Sequence, residues 1–126
     1  MPFSTYTDNK LIDHLLGSNT YTKPASKYLA LYVGDPTSGG TEVSTSGSAY
    51  TRLASNFTIS SNVAANSSSL EWSPASSTWG TVTHAAIYDA STGGNMLVSA
   101  PLSVAKPITT GDIFRIPANN YLVTLT

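Results

Sequence analysis

The apolar and polar positions of this chain change period once. Near the N-terminus, Leu11 with Leu15 and Ile12 with Leu16 form two i,i+4 pairs, which predicts a helix over Thr5–Leu16. Thr7 followed by Asp8 offers an N-cap and a negative first turn, and Gly17 stands where a left-handed C-terminal cap belongs. So short a helix falls below the ~12–15 residues at which an isolated helix becomes marginal in water. It must dock, either on its own sheet or on a neighbouring subunit.

Beyond residue 18 the helical period disappears and short strands take over. Residues 27–33 (KYLALYV) are apolar on both faces, as in a central strand, and Pro36 ends them. Residues 36–48 read as an exposed loop, 49–59 as a second strand region, and 60–69 as a polar loop. Residues 70–72 form a short strand. Residues 81–88 (TVTHAAIY) alternate, with Val82, His84, Ala86 and Tyr88 assigned to one side. Residues 89–95 (DASTGGN) are a hairpin loop in which Asp89 accepts backbone N–H groups and Gly93 and Gly94 permit positive φ. Residues 96–104 return, with Pro101 marking an edge or a bulge, and turns at 110–112 and 117–120 bracket a strand at 113–116. The last strand, 121–125, places Tyr121, Val123 and Leu125 together. The fold class is therefore mainly β, an antiparallel sandwich or barrel of about seven strands with one short N-terminal helix. It divides into a helical arm, residues 1–17, and a single β-sandwich domain, residues 18–126.

Composition narrows the function. The 126 residues contain 19 Ser and 17 Thr but only 10% charged residues, with a net charge of −1 and no Cys. A soluble domain ordinarily has about 25% charged residues. A hydroxyl-rich surface packs against neighbours without desolvating many ions, which tilts the reading toward an assembly component. Without a basic stripe no nucleic-acid partner is expected, and no apolar run approaches the ~20 residues of a membrane span. No leader segment is recognisable in the first residues.

The residues offer little chemistry. His14 and His84 are the only histidines, no Gly-x-Ser-x-Gly surrounds any serine, and no local motif pairs two of the carboxylates. Asp8, Asp13 and His14 cluster, but the last two project about 100° apart on a helix. Gly39-Gly40 and Gly93-Gly94 lack the lysine of a phosphate loop. No catalytic residue, metal site or cofactor is expected. His84 reads as a hydrogen-bonded structural residue, and Trp79, Gly80, Asp89, Gly93 and Gly94 as turn and core positions. Trp72 and Trp79 either seal the core or serve as a carbohydrate platform or subunit contact. Asn56-Phe57-Thr58 and Asn66-Ser67-Ser68 match the glycosylation sequon.

The segments DNKLIDHLLG (8–17), YLALYVGDP (28–36), WGTVTHAAIYDASTGGNML (79–97), KPITTGD (106–112) and the terminal YLVTLT together resemble a family of small tailed-bacteriophage virion proteins, whose members carry tail-fibre or capsid-decoration labels. The resemblance implies a non-enzymatic structural component of the virion. Within it, the short single domain, the charge-poor surface and the apolar N-terminal element favour a cement protein on the capsid exterior. Such a protein binds the major capsid protein as a homotrimer after assembly in the host cytoplasm. The alternative is a tail-fibre or adhesion module that binds host glycans through its Trp and Tyr residues. Phe3, Tyr6, Leu11 and Leu15, within the element from Pro2 to Leu16, are the expected intersubunit or capsid contacts.

Overall fold

The computed structural model describes residues 3–125, so Pro2, the first residue of the expected contact element, lies outside the described residues. Helix α1 (Thr5–Leu16) is followed by strands β1 (Tyr28–Val33), β2 (Thr41–Glu42), β3 (Leu53–Ala54), β4 (Phe57–Ser60), β5 (Val63–Asn66), β6 (Leu70–Glu71), β7 (Gly80–Tyr88), β8 (Met96–Ile108), β9 (Arg115–Ile116) and β10 (Leu122–Thr124). All ladders between them are antiparallel. The largest sheet runs β2-β1-β7-β8, with β3 also paired to β1; β10-β5-β4 and β6-β9 form two smaller sheets. No sheet closes into a barrel.

The core lies between one face of the large sheet and the smaller sheets. Leu29 and Leu31 of β1 and Ala85 and Ile87 of β7 meet Trp72, Phe114, Ile116, Tyr121 and Val123 there. The other face of β1 and β7 is buried too. Ala30 and Ala86 lie directly opposite one another and pack with Tyr32, Tyr88 and Met96. The two tyrosine rings stack at 6.5 Å between centroids with 2° between planes, and their hydroxyls are hydrogen-bonded. Alanines leave room for rings, which is why β1 is apolar on both faces.

Several local expectations change. The helix is capped by Ser4, not Thr7: Ser4 Oγ accepts from the Thr7 N–H at 3.1 Å. Gly17 is extended, φ −95°, and not left-handed. Its lack of a Cβ matters for another reason, since a Cβ would fall 2.0 Å from Asp13 Oδ1 and 2.8 Å from the Asp13 carbonyl oxygen. The stretch 60–69, read as loop, contains β5, whose small Ala64 and Ala65 pair with both β4 and β10. The loop 36–48 contains β2. Val82 joins the core with Ala85 and Ile87 instead of sharing a side with Ala86 and Tyr88. A register shift between Val82 and His84 breaks the alternation there. Leu125 is exposed, while Tyr121 and Val123 are buried.

The same shift reshapes β8. His84 pairs with Pro101 and Val82 with Lys106, so one β7 residue stands opposite four of β8. Residues 102–105 therefore swing away from the sheet.

Candidate functional site

One arginine organises the surface around the hairpin. Arg52 Nε and Nη2 grip Glu42 Oε2 and Oε1, each at 2.9 Å, and Nη1 donates to the carbonyls of Ala90 at 2.9 Å and Gly93 at 2.8 Å. Four of the five guanidinium donors are thus used. The guanidinium also lies 3.8 Å from the centroid of the Tyr88 ring. Burial alone would raise the Glu42 carboxyl, but hydrogen bonds from Arg52 and Tyr50 outweigh it and hold the group below its ordinary value. The Tyr50 hydroxyl donates to Glu42 at 2.7 Å and accepts from the Leu31 N–H at 3.0 Å, and burial pushes its titration up.

This hub pins the loop 89–95 from beneath. Within the loop, Asp89 Oδ1 accepts from the Asn95 N–H at 2.7 Å and Oδ2 from the Asn95 amide at 3.1 Å. Gly93 and Gly94 have φ of 59° and 74°. Gly80 is also at positive φ, with Val33 near the place of its missing Cβ. His84 Nδ1 is 2.9 Å from Thr83 Oγ1, which accepts the Gly34 N–H at 2.8 Å, so this histidine is tied to the strand beside it.

Helix α1 is anchored to β8 by its first turn. Ser4 Oγ donates to the Met96 carbonyl, Thr7 Oγ1 donates to the Leu97 carbonyl at 2.8 Å, and Phe3 bridges to Val98. Phe3 and Tyr6 pack against the chain's own core. Leu11 is half-buried, whereas Ile12, Leu15 and Leu16 are 61%, 76% and 83% exposed. The helix thus docks on its own sheet and still leaves an apolar stripe facing water.

Two concavities flank these elements. A polar cleft of about 270 Å³ lies between α1 and the segment after it, lined by Tyr6, Lys10, Asp13, Asn19, Tyr21 and Thr22 among others. Asn19 donates to Asp13 at 2.7 Å, and the Tyr21 N–H donates to His14 Nδ1 at 3.1 Å. Burial, then the neighbouring Tyr6 and Asp89, push the Tyr21 phenol up. Two phenol rings beside a carboxylate and an amide are the chemistry that stacks on and hydrogen-bonds to a sugar. A larger groove of about 570 Å³ runs under the displaced part of β8, between Pro101, Leu102 and Val104 on one wall and Phe114, Pro117 and Leu122 on the other. Lys106 and Arg115 also line it, with no acidic residue.

Other candidates resolve simply. Trp72 and Trp79 are buried and donate to the carbonyls of Thr51 and Ser48 at 2.9 and 2.8 Å, so neither forms a surface platform. Asn66 is fully buried, its amide donating to the Ser68 and Pro117 carbonyls and accepting from the Tyr121 N–H; it is a structural cross-brace and not an accessible sequon. Among the described residues no three His, Asp or Glu side chains gather as metal ligands, and no helix is long and apolar enough to cross a membrane.

Sequence reasoning passed over Glu42, Arg52, Asn19, Tyr21 and the groove cations. The partners of Arg52 stand 10 to 41 residues away, and no local motif announces such a convergence. No curated protein matches the chain. The family model described as Podophage GP4 fiber I protein gp80 matches residues 2–124, nearly the whole chain, and the protein belongs to that family of phage structural proteins.

Proposed function

We propose that this chain is a non-enzymatic structural subunit of a phage fibre, with the cleft between α1 and residues 19–22 as a contact for host-surface glycans. Family membership over residues 2–124 carries the fibre assignment. In support of a non-catalytic role, the titratable groups of the hub are committed to the fold: Glu42 and Arg52 to each other, Tyr50 to both Glu42 and β1. The cleft supports the glycan reading through the two half-buried tyrosines and the Asp13–Asn19 pair.

The competing assignment is a cement protein that binds the major capsid protein as a homotrimer on the capsid exterior. The charge-poor surface favours it, but the family description names a fibre. Gold-labelled antibody on intact virions separates the two. Label confined to tail appendages supports the fibre, and label spread over the head overturns it. Adsorption to host cells tests the glycan contact: Tyr21→Ala and Asn19→Ala reduce binding of the purified protein if the cleft takes sugar. Unchanged binding in both variants removes the cleft from the proposal.

A further inference from the structure

The exposed stripe of α1 and the empty groove beside β8 are complementary. Asp8, Ile12, Leu15 and Leu16 occupy positions i, i+4, i+7 and i+8, the spacing with which a helix enters an apolar groove. The opposite face of the helix is already used, because Thr7 is held at Leu97 and Tyr6 and Phe3 rest on the core. The stripe therefore does not fill the groove of its own chain.

The groove offers what that stripe lacks. Its apolar lining includes Val104, 63% exposed, and Leu122, 54% exposed. Its two cations, Lys106 and Arg115, face a lining without carboxylates, whereas the stripe starts with an acid.

We infer that α1 of one copy docks in the β8 groove of the next copy, with Ile12, Leu15 and Leu16 in the groove and Asp8 toward its cations. Different surfaces of the two partners meet, so the contact is heterologous and closes into a ring or propagates. One narrow helix footprint is small beside the ~1,600 Å² of a stable pair, which favours ring closure, where every subunit is held twice. The inference rests on the reading of the chain as a structural subunit.

The test is sedimentation velocity on three full-length proteins: wild type, Leu15→Asp with Leu16→Asp, and Lys106→Glu with Arg115→Glu. All four side chains are exposed, and circular dichroism checks that each variant keeps its fold. Either double variant alone weakens self-association about 100-fold. Mixed in equal amounts, they regain one helix-groove contact, since one retains an intact groove and the other an intact helix. The mixture therefore pairs one-to-one more tightly than either variant with itself, though more weakly than wild type, whose subunits are held twice. A helix-to-helix contact gives a different outcome, in which the groove variant assembles like wild type; that result overturns the inference. So do a wild type that stays monomeric at about 100 μM, well above the dissociation constants of specific pairs, and a mixture that associates no more than either variant alone. None of these results touches the virion labelling, which judges the fibre assignment independently.

Discussion

The two halves of β8 share one strand and differ in nearly everything else. From Met96 to Ala100 the strand pairs with β7 and is covered by Phe3, Ser4 and Thr7, and Leu97 and Val98 are buried. From Leu102 to Ala105 it leaves register, most side chains turn to solvent, and the groove opens beneath it. Lys106 to Ile108 then pair with β7 again, and Ile108 enters the core. Pro101 and Pro107 cannot donate to a ladder, and proline is one of the ways by which an edge strand is blunted. The difference shows how one strand serves two purposes. Its first half holds the helix, while its second half, displaced by a bulge, leaves a surface free for another molecule.

The largest expected effect separates those halves directly. Leu97→Ala removes a side chain that is 8% exposed and costs about 2–4 kcal/mol. Val104→Ala, in the open half, stays within about 0.5 kcal/mol. Urea midpoints for the two variants measure the contrast, and equal values abolish the distinction between closed and open halves.

Next comes the hub that fastens the hairpin leading into the closed half. Glu42→Gln loses the charge that faces Arg52 and lowers stability by about 1.5–3 kcal/mol. Because the folded carboxyl titrates below its ordinary value of 4.5, its contribution is complete above that value. It is lost as pH falls through the depressed folded value. Thermal melting from pH 6 to about pH 3 therefore shows an acid-side decline in wild type that is shallower in Glu42→Gln. Parallel declines in the two proteins show that Glu42 is not the group responsible.

A smaller effect distinguishes two adjacent glycines in that hairpin. Both need positive φ, so Val at either position costs about 1–2 kcal/mol through the backbone. At Gly94 a Cβ also meets Asp89 Oδ1 at 2.5 Å and Ala90 Cβ at 2.7 Å, while at Gly93 it meets open space. Calorimetry therefore finds Gly94→Val the more damaging. The smallest effect lies at the helix cap: Ser4→Ala removes one cap and one anchor to Met96 for about 1 kcal/mol. Amide exchange in the first turn of α1 rises, while the open half of β8 is unchanged.

The sequence by itself determined the helix bounds, the strands β1 and β7, and the hairpin between β7 and β8. Those features arise from residues within a turn or two of each other: the i,i+4 leucines, the apolar run 28–33, and Asp89 with Gly93 and Gly94. Family resemblance was readable for the same reason, being carried by those ordered segments. Only the tertiary structure decided the rest. β5 looks polar in sequence and becomes a strand because β4 and β10 flank it on both sides. Val82 turns inward because a bulge whose far side lies some twenty residues away shifts the register. Arg52 becomes the hub because Glu42, Tyr88 and the carbonyls of Ala90 and Gly93 converge on it from three other parts of the chain. The groove likewise exists only where β8 leaves the sheet over the segment from Phe114 to Leu122. Local patterns record what a residue does to its neighbours in sequence; these sites depend on pairings across tens of residues, which no short-range periodicity encodes.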